Sequence, residues 1–234
     1  MERNFRGCGY GERGGRMEQV KTGAFIFATA VVIFCFVFFY ILEKKNTSVR
    51  KIMLITVLTT MSIAGRFIFA PFPGFKPVTA VVIIAGMYLG TEAGFYCGAL
   101  TALVTNFYFG QGMYTPFQML TWGLIGIISA LIGGLLRKNK AVLMIYGVFA
   151  GVIFSLLMDI YTVIWTFGTF RWSYYLITIS TSLTFTIIYA VSNVIFLLAL
   201  AVPLGKKIEH AYKKGCENLL IPLVTKPLLW YNLA

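Results

Sequence analysis

The sequence predicts an all-α fold, a polytopic membrane helical bundle, and three observations carry that prediction. Hydrophobic residues make up 59% of the 234 positions and charged residues only 12%, about half the charged fraction usual in soluble domains. The apolar residues fall in runs near twenty long, the length that crosses about 30 Å of hydrocarbon. The cations outside the first 21 residues gather in short clusters between those runs. Such spacing fixes membrane orientation and does not follow a phosphate backbone, so the net charge of +12 does not imply nucleic acid as a partner.

Seven apolar spans follow in order: 23–42, 52–70, 78–90, 93–109, 117–136, 141–169 and 175–202. The third is short enough to be tilted or only partly inserted. No proline interrupts a span: Pro71, Pro73 and Pro77 share one connection, Pro116 opens a helix, and Pro203 closes the last. Lys44, Lys45, Arg50, Lys51, Arg137, Lys138, Lys140, Lys206, Lys207, Lys213, Lys214 and Lys226 lie on one side. Only Arg66, Lys76 and Arg171 lie on the other, which places the first group in the cytoplasm. Connections 67–77, 110–115 and 170–173 then face outward. Arg66 reads as an interfacial anchor, and His210 as a solvated residue of the basic cytoplasmic tail, 206–234.

Residues 1–22 are expected outside yet carry five cations. Gly11–Arg16 reads like a translated purine-rich ribosome-binding site, which would make Met17 the true start. Cys8, Cys35, Cys97 and Cys216 show no metal-type spacing and read as small hydrophobes.

Small residues recur at helical spacing, first Gly86, Gly90, Gly94, Gly98 and Ala102, then Gly126, Ala130 and Gly134. In lipid such rows let helices approach closely. Another row, Thr56, Thr60 and Ala64, could pack inside the bundle or face another protein. Polar side chains at membrane depth also form stripes: Ser155, Asp159, Thr162 and Thr166; Ser182, Thr186, Tyr189 and Asn193; Gln118, Trp122 and Ser129. Three stripes imply a shared polar interior. Asp159, the only carboxylate deep in a span, reads equally as a structural partner and as a ligand contact. No catalytic set and no GxxxxGK[ST] loop is present, so the chain reads as no enzyme and as no P-loop ATPase. No cofactor or metal is implied.

Three stretches carry a family resemblance: GRFIFAPFPGFKPVTAVVIIAGMYLGTEAGF (65–95), GALTALVTNFYFGQGMYTPFQMLTWGLIGIISALIGGLLRK (98–138) and YAVSNVIFLLALAVPLGKKIEHAYKK (189–214). Together they resemble the substrate-specific (S) component of an energy-coupling factor (ECF) transporter, most closely the cobalamin-type subgroup. The resemblance implies a six-helix core, here 52–205, that binds a vitamin or micronutrient near the outer surface, with 23–42 as one additional N-terminal helix. It implies docking on a transmembrane coupling subunit that carries two cytoplasmic ATPases, and toppling within the lipid bilayer to deliver the ligand. A small-residue row on the first core helix meets the coupling subunit in that family; Thr56, Thr60 and Ala64 are the nearest match, with Thr where Ala is usual. The chain departs from the subgroup at Thr186 and Tyr189, where an acid and a histidine are common.

The resulting expectation is uptake of cobalamin or a related corrinoid without chemistry, with another vitamin or micronutrient as the alternative ligand. Tyr108, Tyr114, Trp122 and Trp165 are the candidate aromatic contacts, and Lys76, Asn106, Gln111, Gln118 and Asn193 the candidate polar anchors, with Asp159 beside them. A stand-alone secondary transporter would need an ion path beyond Asp159 and inverted repeats, which are not seen. An intramembrane enzyme would need the missing catalytic set.

Overall fold

The computed structural model describes residues 48–225, with side chains through Ala211, and upstream only Thr29, Val32, Ile33 and Tyr40. Apart from those four positions, the expected tail 1–22 with Met17, the expected span 23–42, and the side chains of 212–234 lie outside the described residues. Seven helices follow: α1 (Val49–Ile68), α2 (Val78–Leu89), α3 (Thr91–Phe109), α4 (Tyr114–Leu131), α5 (Gly133–Lys138), α6 (Lys140–Phe167) and α7 (Trp172–Thr225). Among the described residues, α1, α6 and residues Trp172–Ala211 of α7 are long and apolar enough to cross a membrane.

The short third span is α2, and its brevity reflects a central position. Every residue of Val78–Leu89 except Tyr88 is buried. A helix apolar on all sides has no polar face to orient it, so neighbours can enclose it completely. Twelve residues rise only about 18 Å, well short of the hydrocarbon thickness. Helices α1, α3, α4, α6 and α7 all pack on it. Phe107, Leu131, Phe149, Leu176 and Leu183 remain exposed around the bundle, as lipid-facing residues should.

Local chemistry sets the helix ends. Ser48 accepts the Lys51 amide at the start of α1, and Asn139 accepts the Ala141 amide at 2.9 Å at the start of α6, each satisfying an orphan donor. Gly90, at φ 96°, reverses the chain between α2 and α3, a backbone state that side chains bearing a Cβ rarely adopt. At that same end the Lys51 ammonium meets the buried Glu92 carboxylate at 2.7 Å, tying α1 to α3.

Three sequence expectations are corrected. The span 117–136 is two helices, α4 and α5, broken at Ile132 before the Gly133–Gly134 pair. Pro203 does not close the last span, because α7 continues through it. A proline removes one intrahelical donor, a loss that membrane helices tolerate. Gly90 and Gly134 leave the packing rows, since a Cβ at either would meet nothing within 4 Å, whereas Gly86, Gly94, Gly98 and Gly126 lie against neighbouring helices.

Candidate functional site

At the end of the bundle that carries the 69–77 connection, a cavity of about 130 Å³ opens between that connection and α1, α2, α4, α6 and α7. Its floor is aromatic. Trp122 of α4 stacks on Phe154 of α6, with ring centroids 5.0 Å apart and planes at 20°, and Tyr189 of α7 meets Phe154 edge-on at 5.2 Å. Trp122 Nε1 donates to Thr79 Oγ1 at 3.3 Å, which ties the platform to the central helix.

Polar groups surround that floor. Gln118, Asn193 and Lys76 line the cavity beside Thr79. Asn106 donates to Gln118 Oε1 and to Thr115 Oγ1, each at 3.0 Å, so it orients Gln118 from behind. Asn193 donates to the Gly147 carbonyl at 3.0 Å, joining α7 to α6. Burial, and then the neighbouring Arg66 charge, pull the Lys76 ammonium below its ordinary pKa.

Arg66 overturns its reading as an interfacial anchor. Its side chain is only 5% exposed and lines the cavity. The guanidinium lies 5.2 Å from the ring centroids of both Phe109 and Trp122, and Nη1 donates to Thr105 Oγ1. Nε has no hydrogen-bond partner among the described residues. A span-end arginine reads as a snorkelling residue in sequence; here α3 and α4 close around it instead.

The 69–77 connection, which borders the cavity, is held against α7. The Lys76 amide donates to Ser192 Oγ at 3.0 Å, and that hydroxyl donates back to the Lys76 carbonyl at 3.2 Å. Phe69 and Phe75 each pack on Phe196 with centroids 5.0 Å apart.

The structure therefore brings Lys76, Gln118, Trp122 and Asn193 together, with Asn106 behind them. The other candidates sit elsewhere. Tyr108 is 75% exposed and packs on Phe67. Gln111 donates to the Leu103 carbonyl of α3, and Tyr114, at the start of α4, donates to the Gly110 carbonyl, so both brace the α3–α4 connection. Trp165 is half exposed and stacks on Tyr161. Asp159 accepts from Ser182 Oγ at 2.7 Å on the α6–α7 seam, beside the Ser155–Thr186 pair at 2.6 Å. The sequence reading missed Thr79, Phe154, Met158 and Tyr189 as cavity-lining groups. Tyr189 did lie on a recognised stripe, but nothing distinguishes Phe154 or Met158 within an apolar run.

On α1, Thr56, Thr60 and Ala64 are exposed on one face, and both threonine hydroxyls donate to carbonyls four residues back. The row points away from the bundle.

Among the described residues, a membrane bundle thus holds an aromatic and polar cavity at one end, an arrangement suited to binding a small molecule. A family model described as ECF-type riboflavin transporter, S component, matches residues 45–210, and the chain belongs to that family. It is a multi-pass cell-membrane protein and the non-catalytic substrate-binding subunit of an ECF-type vitamin transporter, with ATP hydrolysis in partner subunits. The cobalamin-type subgroup finds no support in this match, which falls on the riboflavin family. No curated protein and no solved structure matches the chain.

Proposed function

We propose that this chain captures riboflavin at the outer membrane face and presents it to an ECF module. The buried Arg66, with an unpartnered Nε–H beside a stacked Trp122–Phe154 platform, carries this reading. A buried, incompletely paired cation is costly, and an acceptor-rich planar ligand would relieve that cost. Riboflavin has a flat tricyclic ring with an apolar edge, a carbonyl-rich edge and a polyhydroxylated chain. The ring suits the aromatic floor, its carbonyls suit Arg66 and Lys76, and its hydroxyls suit Gln118 and Asn193. A cavity of about 130 Å³ is smaller than the roughly 300–1,000 Å³ of typical ligand sites. Entry therefore requires the 69–77 connection to lift from Ser192 and Phe196. A corrinoid, far bulkier and without a matching flat edge, would need a larger rearrangement.

Titration of the purified chain tests the ligand. Riboflavin is expected to bind tightly, with its fluorescence quenched by stacking on Trp122, and cobalamin to produce no heat of binding by calorimetry. Tight cobalamin binding with inert riboflavin would restore the corrinoid reading.

We also assign the exposed Thr56–Thr60–Ala64 row to contact with the transmembrane coupling subunit. Ala64→Leu is expected to leave riboflavin affinity within about twofold of wild type and to abolish uptake in cells carrying the complete transporter, because added bulk prevents close helix approach. Wild-type uptake by that variant would move the docking face elsewhere.

A further inference from the structure

The inner end of the bundle carries a second cavity that vitamin capture does not use. It measures about 200 Å³ and lies between the end of α2, α5, the start of α6, and α7. Arg137, Lys140 and Lys206 line it, together with Tyr88 and Glu209. Arg137 is held in place: its Nε donates to the Gly133 carbonyl at 3.3 Å and its guanidinium lies 5.8 Å from the Tyr88 ring centroid. Among the described residues, no carboxylate lies within ion-pair distance of these three cations. They exceed the single acid, Glu209, and face the cytoplasmic boundary of the bilayer.

A second feature gives the occupant its shape. An almost wholly apolar groove of about 640 Å³ runs between α6 and α7 at membrane depth, lined by residues including Val148, Val152, Val191 and Ile195. Val191, Ile195, Leu198 and Val202 follow at i, i+4, i+7 and i+11, one stripe of α7. Leu198 and Val202 line the basic cavity, and Val191 and Ile195 line the groove. On α6, Met144 of the cavity and Val148 and Val152 of the groove repeat every four residues. Both features thus share one seam, cationic at the inner surface and apolar above it.

We propose that this seam binds an anionic phospholipid, with its phosphate between Arg137, Lys140 and Lys206 and an acyl chain along the α6–α7 groove. A basic pocket between helices on the cytoplasmic side suits an anionic headgroup. The adjoining groove selects a lipid over a free phosphate, since only a lipid fills both.

The test uses the full chain in mild detergent, titrated with phosphatidylglycerol, with phosphatidylcholine of the same chains, and with glycerol 3-phosphate, read by native mass spectrometry and thermal melting. Phosphatidylglycerol should bind and raise the Tm, and the other two should not. Each cation near a membrane surface contributes roughly fivefold, so R137Q/K140Q/K206Q should lose about a hundredfold in affinity. K138Q/K207Q, which alters neighbouring cations outside the cavity, should bind like wild type. Glu209→Gln should tighten binding severalfold by removing the one repulsive charge. Should the triple variant fail to fold, Ile195→Trp fills the groove and is expected to weaken the lipid while sparing the cations. Equal binding of glycerol 3-phosphate would overturn the lipid assignment, and equal loss in K138Q/K207Q would reduce the site to diffuse surface charge.

Discussion

Replacing Trp122 with alanine is expected to weaken riboflavin binding by about thirtyfold or more, the largest loss from any single cavity residue. Trp122 is where the site's contacts converge. One face stacks on Phe154, the Arg66 guanidinium lies 5.2 Å from its centroid, and its N–H anchors Thr79 of the central helix. Aromatic anchors in desolvated pockets typically cost at least ~2 kcal/mol on truncation, which is about thirtyfold in Kd. The same substitution removes a buried side chain, and tryptophan truncations in cores cost roughly 3–5 kcal/mol of stability. Melting without ligand must therefore accompany the titration. Trp122→Phe helps to separate the two effects, because it keeps an aromatic face, though a smaller one, and loses the hydrogen bond to Thr79, worth about 1 kcal/mol. It should bind within roughly fivefold of wild type. A folded Trp122→Ala protein with wild-type affinity would show that the flavin does not use this platform.

The membrane class and part of this cavity were legible in the sequence because each rests on a local period. Gln118 and Trp122 share a helical face, and Asn193 ends a polar stripe, so their convergence follows from spacing alone. Arg66 was not legible. Its neighbours Phe67 and Ile68 mark a span end, where arginine usually snorkels, and its burial depends on Thr105 and Phe109 of α3. Phe154 was hidden for the opposite reason, since an aromatic residue in an apolar run looks the same whether it faces lipid or ligand. The polar stripe containing Asp159 was real, yet its groups pair across the α6–α7 seam, with Asp159 on Ser182 and Ser155 on Thr186, and do not turn into the cavity. Loop residues were the least legible. Gln111 and Tyr114 carry ligand-like chemistry, but they bond the carbonyls of Leu103 in α3 and Gly110 in the adjoining connection. The connection that does border the cavity is held by Ser192, 116 positions from Lys76, a separation no local pattern reveals.

Enlarging Gly126 to leucine is expected to remove most folded protein, and alanine at the same position to lower the melting temperature measurably. In lipid, apolar side chains gain nothing by leaving the solvent, so close packing itself holds the helices together. Gly126 is a junction where backbone meets backbone. A Cβ there would lie 2.4 Å from both the carbonyl carbon and oxygen of Gly94, and the reciprocal Cβ at Gly94 would lie 2.5 Å from the Gly126 oxygen. A Cβ at Gly86 would meet the Gly126 oxygen at 2.3 Å, so α2 and α3 both press on this one residue of α4. The obstructing atoms are backbone and cannot rotate aside; whole helices must separate. Overpacking of this kind costs about 1–3 kcal/mol for small additions, and leucine adds three more carbons than alanine. Separation of α4 from α2 would also pull Trp122 from Thr79, so any residual folded protein should bind riboflavin weakly. Gly134 provides the control. It is exposed in α5 with nothing within 4 Å of its would-be Cβ, so Gly134→Ala should hold or slightly raise the melting temperature by helix propensity alone. Melting curves of the three variants in detergent decide the matter, and a Gly126→Leu protein that melts like wild type would show that α2, α3 and α4 do not meet at this glycine.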